Sequence, residues 1–120
     1  MPVSSDFMDY LTERLEPLGS ITWRRMFGGA GVYCDGLFFA IVADDQVYLK
    51  VDDETRSAFE KEGLEAFTYE TAKGVKGVMS YHAAPDGALD DDETLIEWSQ
   101  MAVGAALRAA RKKTKKKKKA

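Results

Sequence analysis

The stretch Val32-Tyr33-Cys34-Asp35-Gly36-Leu37-Phe38-Phe39-Ala40-Ile41-Val42 decides the fold. Asp-Gly between two apolar runs is the strongest short hairpin signal, because a type I′ turn needs positive φ at both central residues. With Asp35-Gly36 as that turn, strict alternation puts Val32, Cys34, Leu37, Phe39 and Ile41 on one face. Tyr33, Phe38, Ala40 and Val42 take the other. Both faces of the second strand are then apolar, which predicts a central strand covered on both sides.

The pattern extends outward from the hairpin. A second turn near Asp44-Asp45 leads to Val47, Leu49 and Val51, with Tyr48 and Lys50 opposite. Upstream, Phe7, Leu11, Leu15 and Leu18 recur at helical spacing, with Ser4 or Ser5 as N-cap and Pro17-Gly19 as the stop. Downstream, Asp52 or Asp53 caps a short helix to Glu62, and Gly63 ends it. Phe67-Thr68-Tyr69 and Val78 to His82 read as strands, with Gly74 to Gly77 as a loop between them. Asp90-Asp91-Asp92-Glu93 opens a last helix, where acids complement the positive end of the helix dipole. The stripe Leu95, Trp98, Ala102, Ala105, Ala106 and Ala109 carries that helix to about Arg111. The expected class is α+β, an antiparallel β-meander sheet with flanking helices in a single domain, residues 1–111.

The chain has 120 residues, 45% of them apolar, enough for one core. No apolar run has the length of a membrane span, and the start lacks the basic and apolar segments of a signal peptide. A cytoplasmic location is the default expectation, with no membrane partner. Cys34 and His82 are the single cysteine and histidine, which excludes an intrachain disulfide and a cysteine-based zinc site. Charge divides the chain sharply. Residues 1–111 hold all 20 acids and ten of the 17 basic residues, a net −10, whereas residues 112–120 hold seven lysines and no acid. That tail has no apolar residue and is expected to be disordered. Lys112, Lys113, Lys115, Lys116, Lys117, Lys118 and Lys119 make it a candidate arm for non-specific nucleic-acid association, without groups to read bases.

Trp23-Arg24-Arg25-Met26-Phe27-Gly28-Gly29-Ala30-Gly31 is the candidate contact site. Alternation sends Arg24 and Arg25 to opposite faces, so the two do not clamp one ligand. The default is an ion pair for one and solvent for the other. Gly28-Gly29-Ala30-Gly31 lacks the Lys-Ser/Thr of a phosphate loop, and no helix follows it. It is either a nest of N–H groups for an anion or a bend with close backbone approach. Arg24, Arg25, Gly28 and Gly29 are therefore the candidate partner or anion contacts. Cys34 has only His82 as a conceivable base, and nothing in the sequence joins them. His82 ends a strand and is expected to be partly exposed. No motif supports catalysis, no cofactor or metal is implied, and the expected class is not an enzyme.

The order Arg24-Arg25-Met26-Phe27-Gly28-Gly29, Gly31-Val32-Tyr33, Gly36-Leu37-Phe39-Ala40, Tyr48-Leu49-Lys50, Phe67-Tyr69, Met79-Ser80-Tyr81 and Leu89-Asp90-Asp91 to Trp98 resembles the N-terminal domain of the TfoX/Sxy family of bacterial competence regulators. The resemblance covers about residues 7–110 and implies a small cytoplasmic interaction domain without catalysis. It implies a transcription regulator or another protein as partner, since the family's best-known members act with the cyclic-AMP receptor protein at competence promoters. Those members carry a second domain where this chain has lysines. Oligomeric state stays open, a homodimer included.

Overall fold

The computed structural model describes residues 4–26, 29–44 and 46–118. The first helix, α1 (Ser5–Leu15), begins at Ser4, whose hydroxyl accepts a hydrogen bond from the Phe7 N–H at 3.1 Å. This satisfies one of the orphan donors of the first turn. Met8, Leu11 and Leu15 form its buried stripe, and Pro17 lies in a 3-10 turn at Glu16–Leu18. Four strands follow: β1 (Ile21–Met26), β2 (Gly29–Cys34), β3 (Leu37–Ala43) and β4 (Gln46–Lys50). After the short α2 (Arg56–Lys61) come β5 (Ala66–Thr71), β6 (Gly74–Ala83) and the long α3 (Asp92–Lys118). The strands form one antiparallel sheet in the order β1-β2-β3-β4-β6-β5. The α+β class and the antiparallel meander are as the sequence predicts.

Asp35 and Gly36 make the predicted turn, with φ of 50° and 85°. The facing of β3 differs from strict alternation. Tyr33 pairs with Phe38 and Val32 with Ala40, which leaves Phe39 as an extra residue in a bulge. One inserted residue exchanges the two faces for everything beyond it. Ala40 and Val42 therefore join Val32, Cys34 and Phe39 in the main core, and Ile41 turns to the opposite face.

The main core lies between one sheet face and all three helices. Met8 and Leu11 of α1, Phe59 of α2, and Leu95 and Ala102 of α3 meet Val32, Val42, Val47 and Leu49 there. The central position of β3 is as expected, but its cover is one-sided. The second cluster, around Ile41, Phe67 and Tyr81, consists of strand residues alone. Among the described residues no helix packs on that face.

Three further expectations change. Gly74 to Gly77 is strand, not loop, because β5 and β6 pair out to Thr71 and Gly74 and the turn tightens to Ala72-Lys73. His82 is buried at 4% exposure, since its place on β6 opposite Leu49 points it under the helices. The last helix continues to Lys118 instead of ending near Arg111. Lysine is a good helix former, and cations at a helix C-terminus complement the dipole.

Ion pairs fasten α3 at two places. Arg14 of α1 meets Asp92 at 2.5 Å. Further along, Arg108 grips Asp52 through Nε at 2.5 Å and an NH2 group at 3.1 Å, and its Nε lies 2.7 Å from Glu54. Asp52 also accepts hydrogen bonds from the N–H groups of Glu54 and Thr55, while Thr55 Oγ1 accepts from the Asp52 N–H. The hydrogen-bonding Arg108 guanidinium holds the Asp52 carboxyl below its ordinary pKa. Asp52→Ala removes a bidentate pair and a turn cap together, at an expected cost of about 2 kcal/mol. Because the folded pKa is depressed, this stabilisation is fully present above the unfolded value of about 4 and disappears as pH falls through the folded one. Urea titrations should show the gap between wild type and variant at pH 7 and its closure in acid. A gap of constant size would remove the ionic account.

Candidate functional site

Strand β1 carries the two arginines at the edge of the sheet. Trp23 pairs with Val32 and Arg25 with Ala30, on the helix side, whereas Arg24 pairs with Gly31 on the other. The predicted split is present, yet neither arginine is buried. Arg25 donates to Ser5 Oγ at 3.1 Å and lies 5.5 Å from the Trp23 ring centroid, which ties β1 to the start of α1. Arg24 has no ion pair or hydrogen bond with any described residue and points away from the helices.

Gly29, Ala30 and Gly31 are buried strand residues; Ala30 and Gly31 pair on both sides, and Gly29 pairs with Met26 of β1. Their backbone groups serve the sheet ladders, so this part of the run is a place of close strand approach. Phe27 and Gly28 lie outside the described residues. So does Lys119 of the lysine segment, while residues 112–118 continue α3.

Cys34 and His82 are not brought together. Cys34 Sγ lies 3.6 Å from the Leu18 carbonyl oxygen, and burial, with Asp35 nearby, pushes its thiol pKa up. His82 Nδ1 lies 2.7 Å from the Leu64 carbonyl oxygen and its ring stands 6.0 Å from Phe59. Their strands, β2 and β6, are three inter-strand steps apart, roughly 14 Å. Among the described residues no group of three His, Cys, Asp or Glu side chains is placed to hold a metal. The acids at the start of α3 cap it: Asp91 accepts from the Glu93 N–H and the Thr94 hydroxyl. The Thr94 bond, first among several, lowers the Asp91 pKa.

The sheet face away from the helices is the surface that strict alternation conceals. Tyr33 and Phe38 stack at 5.2 Å with 28° between their planes, and Phe38 meets Tyr81 at 5.6 Å. Tyr48 packs on Phe67 at 4.8 Å. Lys50 Nζ sits 5.0 Å from the Tyr81 ring centroid. Tyr33, Phe38, Tyr48 and Lys50 are all half-buried. The signal in the sequence was Tyr48 and Lys50 at alternate positions of one strand, with Tyr33 and Tyr81 on two others.

Tyr81 offers a titratable reporter for this face. Burial, with Tyr33 beside it, pushes its phenol up to about 12. A phenol harder to ionise when folded costs nothing below pH 10 and destabilises between 10 and 12, by up to about 1.4 kcal/mol per pH unit. Tyr81→Phe should therefore match wild type at pH 9 and exceed it at pH 11. Parallel melting curves across that range would refute the burial of this phenol.

These features define a class: a small α+β domain with one sheet face sealed by helices and the other open and aromatic. The chain belongs to the family of TfoX N-terminal domains, whose model matches residues 13–106. A curated relative is the DNA transformation protein TfoX1 of Aliivibrio fischeri (strain ATCC 700601 / ES114), 33% identical over 66 residues, which are 52% of this chain and 32% of that protein. The chain thus spans about a third of that relative's length. Among the described residues no helix is long and apolar enough to cross a membrane.

Proposed function

We propose that this chain is a non-enzymatic, cytoplasmic interaction domain that takes part in competence or transcription regulation through a protein partner. The observation that carries the proposal is the family match over residues 13–106. A relative named for DNA transformation supports its direction. The separation of Cys34 and His82 removes one nucleophile–base pairing, in keeping with the non-enzymatic part. Affinity purification of the tagged chain from its own cells, followed by mass spectrometry, should recover a transcription regulator. Recovery of none would sink the regulatory reading.

A second reading rests on the lysine segment. Seven lysines without an acid extend a body of net −10. They favour non-specific nucleic-acid association, with a logarithmic salt slope of about −6 if all seven meet duplex phosphates. Replacing all seven by Gln should abolish duplex binding at low salt. Unchanged affinity would dispose of the arm.

A further inference from the structure

Two adjoining clefts of about 240 and 340 Å³ lie where β4 and β6 meet the turn before α3. They share Gln46, Ala84 and Asp86, so they form one continuous groove. Val47 and Leu95 line its apolar end. Glu62, Glu65, Asp86 and Asp90 line it with carboxylates, and no lysine or arginine does. All four acids are exposed, and none forms an ion pair or side-chain hydrogen bond with a described residue. Asp52, Asp53, Glu54 and Asp92, by contrast, each meet an arginine. Tyr48, in the groove wall, registers the uncompensated charge. Burial raises its phenol pKa first, and Asp44 and Glu65 raise it further.

The carboxylates are spread along the groove. Among the described residues no three of them converge to hold a metal ion. Cations strung along a chain match such a distribution better. Lysine suits it, because its stem lies on apolar surface while its ammonium reaches a charged partner. This chain carries such a string: residues 112–118 continue α3 and hold six of the seven lysines of the last segment. The helix itself keeps string and groove apart. Leu95, in the groove, and Lys112 stand seventeen residues apart on α3, roughly 25 Å, and Lys118 is roughly 35 Å away. The lysines therefore do not reach the groove of their own chain, whereas a second copy brings its groove to them. With two α3 helices antiparallel about a twofold axis, each lysine end faces the other copy's groove, and the contact closes at two.

We propose that two copies of this chain associate end to end in this way, the lysine segment of each seated in the acidic groove of the other. The contact does not rest on the regulatory reading. Sedimentation velocity of the full chain should show a dimer at about 20 mM salt, its dissociation constant rising about tenfold or more by about 0.2 M as exposed charges are screened. Replacing all seven lysines by Gln should give a monomer, and so should Glu62→Gln, Glu65→Gln, Asp86→Asn and Asp90→Asn combined. Mixed in equal amounts, these two variants should form a one-to-one pair, since one keeps the groove and the other the lysines. Asp9→Asn, Glu13→Gln, Glu16→Gln and Glu97→Gln combined change the net charge as much as the groove variant and should leave the dimer intact. All eight acids are exposed, so both acid variants should melt with the parent. The proposal is overturned if the full chain is monomeric at low salt, if the groove variant stays dimeric, if the mixed variants do not pair, or if the control variant dissociates equally. A monomeric full chain whose groove binds free heptalysine would also overturn it, assigning the groove to a foreign basic segment.

Discussion

Phe59→Ala is expected to cost about 4 kcal/mol. The six-residue α2 is too short to hold itself, and Phe59 is its one buried side chain. The ring is fully buried, meets Trp98 of α3 edge-on at 4.8 Å and faces His82 of β6. Its removal opens a cavity where three elements converge and strips two aromatic partners of their contacts. The urea midpoint should fall steeply with little change in slope, equivalent to a melting shift of roughly 15 °C. Phe59→Leu, which keeps most of the volume, should cost under about 1.5 kcal/mol. A loss below 1 kcal/mol for the alanine variant would show that α2 is not fastened through this ring.

Gly29→Ala should follow closely, at about 3 kcal/mol or more. A Cβ on Gly29 would stand 2.2 Å from the backbone carbonyl oxygen of Val42. That atom belongs to the central strand and has no rotamer in which to escape. The comparison that makes this sharp is Gly31→Ala. Its added carbon meets the ends of the Met26 and Phe38 side chains, at 2.5 and 2.9 Å, and both can rotate away. Thermal melts should therefore rank Gly29→Ala well below Gly31→Ala. The opposite order would mean that the glycine run serves something other than close strand approach.

The legible parts of this fold are those decided by a few adjacent residues. Asp35-Gly36 turns as expected because its φ requirement is local, and Ser4 caps α1 because the hydroxyl and the third N–H are neighbours. The split of Arg24 from Arg25 is also local, a consequence of pleat alone. What stayed hidden depends on partners distant in sequence. The Phe39 bulge lies in β3, a strand that also packs on α3, and no window of the hairpin contains that partner. His82 is drawn inside by the position of β6 beside β4, which its polar character does not announce. The aromatic cluster on the open sheet face is hidden for the same reason. Tyr33, Phe38 and Tyr81 come from three strands, and the sequence alone does not say that helices cover only one of their two faces.

The paired fastenings of α3 have a mechanical consequence. Arg14 holds the helix at Asp92 and Asp52 holds it at Arg108, sixteen residues on, a separation of roughly 24 Å. A rod clamped at two separated points resists both tilt and rotation. The lysine-bearing turns beyond Arg108 therefore act as a cantilever, and a load applied to them is delivered first to the loop at residues 52–54. Whatever engages that end acts on a helix held at both points and packed on the sheet between them.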